Sequence, residues 1–224
     1  AWFWAPRGCP INGTEFAPMT TRDRLVKRGF DLVVAALGLA ALWPIIAATW
    51  VIAGYDTGAS GFFRHTRVGQ GGAPFKILKL RTMRNLDGTT VATETALRIT
   101  TPWGAWFRRW KLDELPQLWN VLLGQMSFVG PRPDVAGYMD QLKDDDARLL
   151  ELKPGITGPA SLKYRAEQNL LIHQSDPQAY NDTVIWPDKV RINLEYMDNW
   201  SLPRDLWCIM ETVYKCATLG WAPR

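Results

Sequence analysis

The chain is poor in the residues that most often build metal centres and covalent frameworks. Of its 224 residues, three are cysteines and two are histidines. Cys9, Cys208 and Cys216 form no C-x-x-C pair and leave an odd count. A disulfide framework or structural zinc site is therefore not expected, and a reducing compartment is the default. Cys208 and Cys216 fall on an expected helix and read as packing residues, and His65 and His173 have no ligand-like partner spacing. No lysine follows Gly69–Gly72 to make it a phosphate-binding loop, no RNA-binding signature such as K/R-G-F-G-F occurs, and no internal repeat is visible.

What the chain does have is apolar and aromatic. Its length fits one domain with a sizeable core plus an appendage. A net charge of +4 and a pI near 9.0 suit a partner that carries phosphate. The twelve tryptophans narrow the choice, because Trp is favoured at membrane interfaces, where one end of the ring is apolar and the other wet. The basic residues cluster beside apolar stripes and form no continuous polar face, so nucleic acid is not expected as a partner. Residues 1–18 are Gly/Pro-rich without periodicity and read as leader or non-native residues, with Met19 a candidate start.

From Phe30 to Tyr55 the only charge is Asp31, and the run is long enough to span a bilayer. Pro44 sits near its middle, where it removes a helical hydrogen bond. Arg22, Arg24, Lys27 and Arg28 precede it, and Arg64 and Arg67 follow. The positive-inside tendency holds both flanks on the cytosolic side. The expectation is a re-entrant helix over residues 19–56, broken at Trp43-Pro44, with a kinked spanning helix as the alternative. Residues 57–224 are expected to form a cytosolic catalytic domain, giving an α+β, mostly helical, monotopic enzyme.

FFRHTRV and PFKILKL predict a β-hairpin over Phe62–Met83 with its turn at Gly69–Gly72. Thr89 to Ile99 is polar and uninformative. Pro102 to Lys111 predicts a helix with Trp103, Trp106, Phe107 and Trp110 on one face, edged by Arg108, Arg109 and Lys111. That pattern suits the surface of an anionic membrane, and equally an amphipathic helix packed on the core. A second helix is expected over Leu112–Leu123, with Gly124 as its stop and Pro116 in its first turn. Gly130-Pro131-Arg132-Pro133 must be extended. A further helix is expected over Val135–Leu152, then a turn at Pro154-Gly155. The last helix starts at Ser201 and carries Leu206, Trp207, Met210, Val213 and Tyr214 at helical spacing.

The chemistry concentrates in KLDELPQLWNVLLGQMSFVGPRP, Lys111 to Pro133. Asp113 is expected at the cap or first turn of its helix, where the helix dipole favours the ionised carboxylate. An ionised Asp ligates Mg²⁺ or attacks phosphorus as a nucleophile. Glu114 beside it is a candidate metal ligand or acid/base. Arg132, held between two prolines, presents a guanidinium that grips phosphate at little entropic cost. Arg108 and Arg165 are further phosphate candidates. Taken alone, a DE pair also reads as a plain cap and Arg132 as an exposed turn residue.

These residues carry a family resemblance. VKRGFDLVVA, Pro44, FFRHTRVG, PFKILKLRTM, LDELPQLWNVLLGQMSFVGPRP and LKPGITG occur in the order found in bacterial sugar transferases, the monotopic phosphoglycosyl transferases. VRINLEYMDNWSLPRDLWCIMETV resembles their C-terminal region. The resemblance implies transfer of a sugar-1-phosphate from a UDP-sugar to polyprenyl (undecaprenyl) phosphate, with release of UMP. By the same resemblance Asp113 is the nucleophile, Glu114 completes the dyad, and Mg²⁺ binds at or beside Asp113. Arg108, Arg132 and Arg165 would surround the phosphates, with Arg81 of PFKILKLRTM counted among them. It further implies polysaccharide synthesis at the cytosolic face of the bacterial inner membrane, among membrane lipids, and leaves a homodimer open. Trp43 stands where the family usually has Ser before the proline. A membrane-bound metal-dependent phosphohydrolase and a non-catalytic membrane scaffold are the competing readings.

Overall fold

The computed structural model describes residues 19–84 and 100–219. The expectations for residues 1–18 and for Thr89–Ile99, and Cys9 with them, lie outside the described residues. The chain opens with α1, a 37-residue helix over Thr21–Thr57. Thr20 and Asp23 form a reciprocal capping box at its start, satisfying N–H groups that the first turn leaves open. Gly58 ends it in the left-handed conformation that glycine adopts without steric cost.

The expected break at Pro44 is not seen as an interruption: helix runs through Trp43-Pro44 without a gap. The proline forfeits the hydrogen bond to the carbonyl four residues back, but the turns on either side carry the helix past it. Lys27, Asp31, Ala35, Thr49, Ala53 and Thr57 are buried, a stripe with helical spacing that runs from one end of α1 to the other. The apolar side chains around it, among them Leu32, Val33, Leu37, Trp43, Ile45, Trp50 and Val51, are exposed. α1 is long and apolar enough to cross a membrane, with a mean hydropathy of 2.2 in its most apolar window.

The hairpin forms as expected. β1 (Phe62–Val68) pairs antiparallel with β2 (Pro74–Leu80), and Gly71 and Gly72 take the positive φ that the tight connection demands. α2 (Pro102–Arg109) starts under a Thr101 cap, whose hydroxyl accepts from Gly104 N. Its aromatic residues do not share one environment. Phe107 is wholly buried against Leu80 and Ala53, whereas Trp103 and Trp106 are about half exposed.

The single helix expected over Leu112–Leu123 is in fact two pieces, a 3-10 turn at Leu112–Glu114 and α3 at Gln117–Leu122. Pro116 starts α3 but cannot extend a helix backwards through itself. A short parallel pair follows, β3 (Ser127–Val129) with β4 (Gly155–Thr157), so the turn expected at Pro154-Gly155 is the entry to a strand. Between them, the helix expected over Val135–Leu152 is replaced by irregular chain with 3-10 turns at Met139–Gln141 and Asp144–Glu151. Gly137 and Asp144 take positive φ there, and consecutive acids weaken a helix they do not cap.

The remainder is helical: α4 (Pro159–Lys163), α5 (Glu167–Ile172), α6 (Pro177–Tyr180), α7 (Trp186–Asp198) and α8 (Leu202–Leu219). α8 turns Asp205 and Cys208 inward and leaves Leu206, Trp207, Met210, Val213 and Tyr214 exposed.

Candidate active site

The site is assembled from the hairpin, the 3-10 turn and the β3–β4 pair. Asn120 of α3 joins the first two. Its Nδ2 donates to Lys76 O at 2.9 Å and its Oδ1 accepts from Leu78 N at 2.9 Å, so a helix side chain completes the open edge of β2. That splint brings Lys79 of β2 over the turn. Lys111 precedes the turn with φ 55°, a left-handed conformation rare for a lysine. This backbone reversal swings Asp113 and Glu114 under the hairpin.

The two carboxylates then differ sharply. Glu114 is buried and holds two lysines, Lys79 Nζ at 3.0 Å on Oε1 and Lys111 Nζ at 2.7 Å on Oε2. Burial opposes its ionisation, but Lys111, Lys79 and Arg132 outweigh that and hold its carboxyl well below the usual range. Asp113 is half-buried and has no hydrogen bond or ion pair within 4 Å among the described residues. Burial and the Glu114 charge push its carboxyl up, against Lys79, Arg108 and Lys111. Of the two places expected for it, Asp113 takes the first turn and not the cap: it lies in the 3-10 turn, which Lys111 precedes and no side chain caps.

The arginines are placed unequally. Arg108 Nε donates to Thr82 Oγ1 at 2.9 Å, which aims a half-buried guanidinium that Asp113 feels electrostatically. Arg132 approaches Glu114 Oε1 at 3.9 Å with about half its side chain exposed. Its Pro-Arg-Pro segment is tied to β4, since Gly155 N donates to Pro131 O at 2.7 Å and Gly130 N to Thr157 O at 2.9 Å. The Arg165 charge, like that of Asp113, is felt by the half-buried Cys216 thiol of α8. Arg81 donates from Nε to Ser60 O at 2.8 Å and stacks over Phe63, at the junction of α1 and β1.

Four side chains of the site went unread in the sequence: Arg67, Lys79, Lys111 and Gln117. Lys79 had a signal. Phe75, Ile77 and Lys79 alternate on one face of β2, so a lysine stands where a core-facing strand calls for an apolar residue. A small recess beside Glu114 is lined by Arg67, Lys79, Gln117 and Arg132.

Such a set of cations around one uncommitted carboxylate is suited to phosphoryl chemistry. The profile of the family described as bacterial sugar transferase matches residues 22–218. The chain belongs to that family. It is an enzyme of the sugar-phosphate transferase class. Among its relatives, the uncharacterized sugar transferase EpsL of Bacillus subtilis is 36% identical over 194 residues, covering 85% of this chain and 87% of that one. The exopolysaccharide production protein ExoY of Sinorhizobium fredii is 33% identical, covering 84% of the transferase and 83% of its own length. The UDP-glucose:undecaprenyl-phosphate glucose-1-phosphate transferase of Escherichia coli is 33% identical over 219 residues, and the present transferase spans 44% of it.

Proposed function

We propose that this transferase moves a sugar-1-phosphate from a UDP-sugar to polyprenyl phosphate, releasing UMP, in two steps through a phosphosugar–Asp113 intermediate. The observation that carries this reading is the asymmetry of the dyad. Glu114 spends both oxygens on lysines, and Asp113 keeps its lone pairs. A buried glutamate clamped this way positions Lys79 and Lys111 beside its neighbour, and Asp113 is left to attack phosphorus.

In the first step an Asp113 oxygen bonds to the β-phosphorus, and the bond to the bridging oxygen breaks, its electron pair leaving on UMP. In the second, polyprenyl phosphate attacks the same phosphorus and frees Asp113. Arg108, fixed by Thr82, stabilises charge near Asp113, and Arg132 and Arg165 serve as phosphate partners. Arg81 belongs to this set only if the donor extends towards Ser60.

Among the described residues no cluster of three or more His, Cys, Asp and Glu gathers, so a divalent ion has no protein-only cage. Asp113 fits Mg²⁺, which takes one or two carboxylates and completes its shell with substrate phosphates and water. Such an ion would neutralise charge on the diphosphate. The reading extends to a monotopic enzyme on the cytosolic face of the inner membrane, in exopolysaccharide synthesis. Its support is that both ends of α1 pack on one body while Trp43 at the middle is exposed. A helix crossing the bilayer would carry one end away from that body.

The test supplies purified protein with Mg²⁺, a panel of UDP-sugars and undecaprenyl phosphate. One donor should give lipid-diphosphate-sugar and UMP in equal amounts. Release of free sugar phosphate with no lipid product would make the protein a hydrolase instead.

A further inference from the structure

Gln117 opens α3 with only 1% of its surface exposed, and its Nε2 has no hydrogen-bond partner among the described residues. A buried donor left unmade is costly, and folded proteins rarely leave one. This one sits at the recess beside Glu114, whose volume is about 10 Å³. That is roughly the room one water-sized group needs.

Among the described residues Glu114 is the only carboxylate lining the recess, and each of its oxygens already accepts from a lysine, Lys79 or Lys111. Arg67 and Arg132 line it too, and lie close enough for each charge to oppose the other. Burial and Arg132 push the Arg67 guanidinium down, with Asp134 as its counterweight. Two like charges beside an unpaired donor describe a place prepared for an oxygen that carries negative charge.

We infer that this recess is an oxyanion pocket: it takes one non-bridging oxygen of the phosphoryl group in transfer, with Gln117 Nε2 as hydrogen-bond donor and Arg67, Lys79 and Arg132 as surrounding charge. The inference rests on the donor reading above. As the Asp113 oxygen bonds to the β-phosphorus and the bridging oxygen departs on UMP, the non-bridging oxygens stay bonded to phosphorus throughout. Gln117 transfers no proton; it holds one of those oxygens still. A buried donor already held unpaired at the recess needs little reorganisation when the charge develops. Gln117 is then a catalytic residue, and Arg67 a second one on the hairpin.

The experiment uses the full chain in nanodiscs and compares Gln117→Met, which keeps length and removes the donor, with Gln117→Glu and Arg67→Met. Three quantities are read: the single-turnover rate of UMP release from the UDP-sugar donor, the dissociation constant for inorganic phosphate by ³¹P line broadening, and the melting temperature. Gln117→Met should lose roughly 10²-fold in rate, as for one lost oxyanion donor. All three variants should weaken phosphate binding, Gln117→Glu most, because its charge faces the anion. Arg67→Met supplies the same phosphate readout should either Gln117 variant fail to fold. If folded Gln117 variants keep wild-type rate and phosphate affinity, the recess holds only a structural water and the inference is wrong. If the unaltered protein releases no UMP yet its phosphate binding depends on Gln117, the donor reading falls and the pocket stands.

Discussion

Glu114 holds two lysines where its neighbour Asp113 holds none, and adjacent residues with identical chemistry thereby acquire different tasks. Replacing Glu114 with Gln leaves Lys79 and Lys111 facing a neutral amide; removal of one partner from a buried ion pair costs about 3–5 kcal/mol. The expected outcome is a lower melting temperature together with lost turnover, and an unaltered melting temperature would contradict the clamp. Cys208 offers a second test at this scale. Burial, reinforced by Asp205, pushes its thiol up to about 12. The reactive thiolate is therefore scarce at any pH well below that and grows only as the pH rises towards it. Maleimide at pH 8 should leave Cys208 unlabelled in the folded protein, as read by peptide mass. The acidic pair and Arg132 were legible because they lie together in the chain and between prolines. Lys79 left only the weak signal of a lysine on the inward face of β2, and Gln117 left none, because the Asn120 splint and the break at Pro116 that bring them to the site are contacts that no local pattern reports.

Between elements, the joint of α1 with the C-terminal helices is polar. Lys27 Nζ meets Asp205 Oδ2 at 2.5 Å, and Tyr196 Oη and Trp200 Nε1 donate to the same carboxylate at 2.5 and 3.1 Å. Arg28 caps the end of α3 through the carbonyls of Val121 and Leu122, and Asp31 accepts from Phe128 N. In the sequence, Lys27 and Arg28 stand as charges flanking the apolar run and as part of VKRGFDLVVA. Helical spacing now explains them: 27, 28 and 31 share the inward side of α1. Lys27→Met should cost about 3–5 kcal/mol by stranding Asp205, and adding Asp205→Leu should recover part of it. Chemical denaturation in detergent measures both. Gly130 is a second sensitive joint. A Cβ there would stand 2.3 Å from Lys153 O, so Gly130→Ala must push β3 from β4 and displace Arg132. About 1–3 kcal/mol of stability should go, with a larger loss of activity. The hairpin was legible from alternation and glycines. The Val135–Leu152 stretch was not, because Met139, Leu142, Leu149 and Leu152 pack on the core at helical spacing while Gly137 and Asp144 take the positive φ that interrupts a helix.

At the scale of the whole molecule, apolar faces remain uncovered on α1, on α2 at Trp103 and Trp106, on α3 at Trp119 and Leu123, and on α8 at Trp207, Met210 and Val213. Exposed apolar surface on this scale is not expected of a monomer in water, and a lipid interface would receive it. Binding to anionic vesicles with brominated acyl chains should quench the tryptophan fluorescence, and Trp103→Ser with Trp106→Ser should reduce the quench without lowering the melting temperature. The apolar run and the aromatic excess made this legible from composition. The continuity of α1 through Pro44 was not, since a proline reports a lost hydrogen bond and not how its neighbours respond.

The central claim, that Asp113 carries the sugar phosphate, is tested most directly by the half-reaction without lipid acceptor: protein, Mg²⁺ and the UDP-sugar donor, with UMP release and intact protein mass followed together. The account predicts stoichiometric UMP and a sugar-phosphate adduct on the protein, both absent in Asp113→Asn. UMP that appears only once polyprenyl phosphate is added, with no adduct at any time, would contradict it.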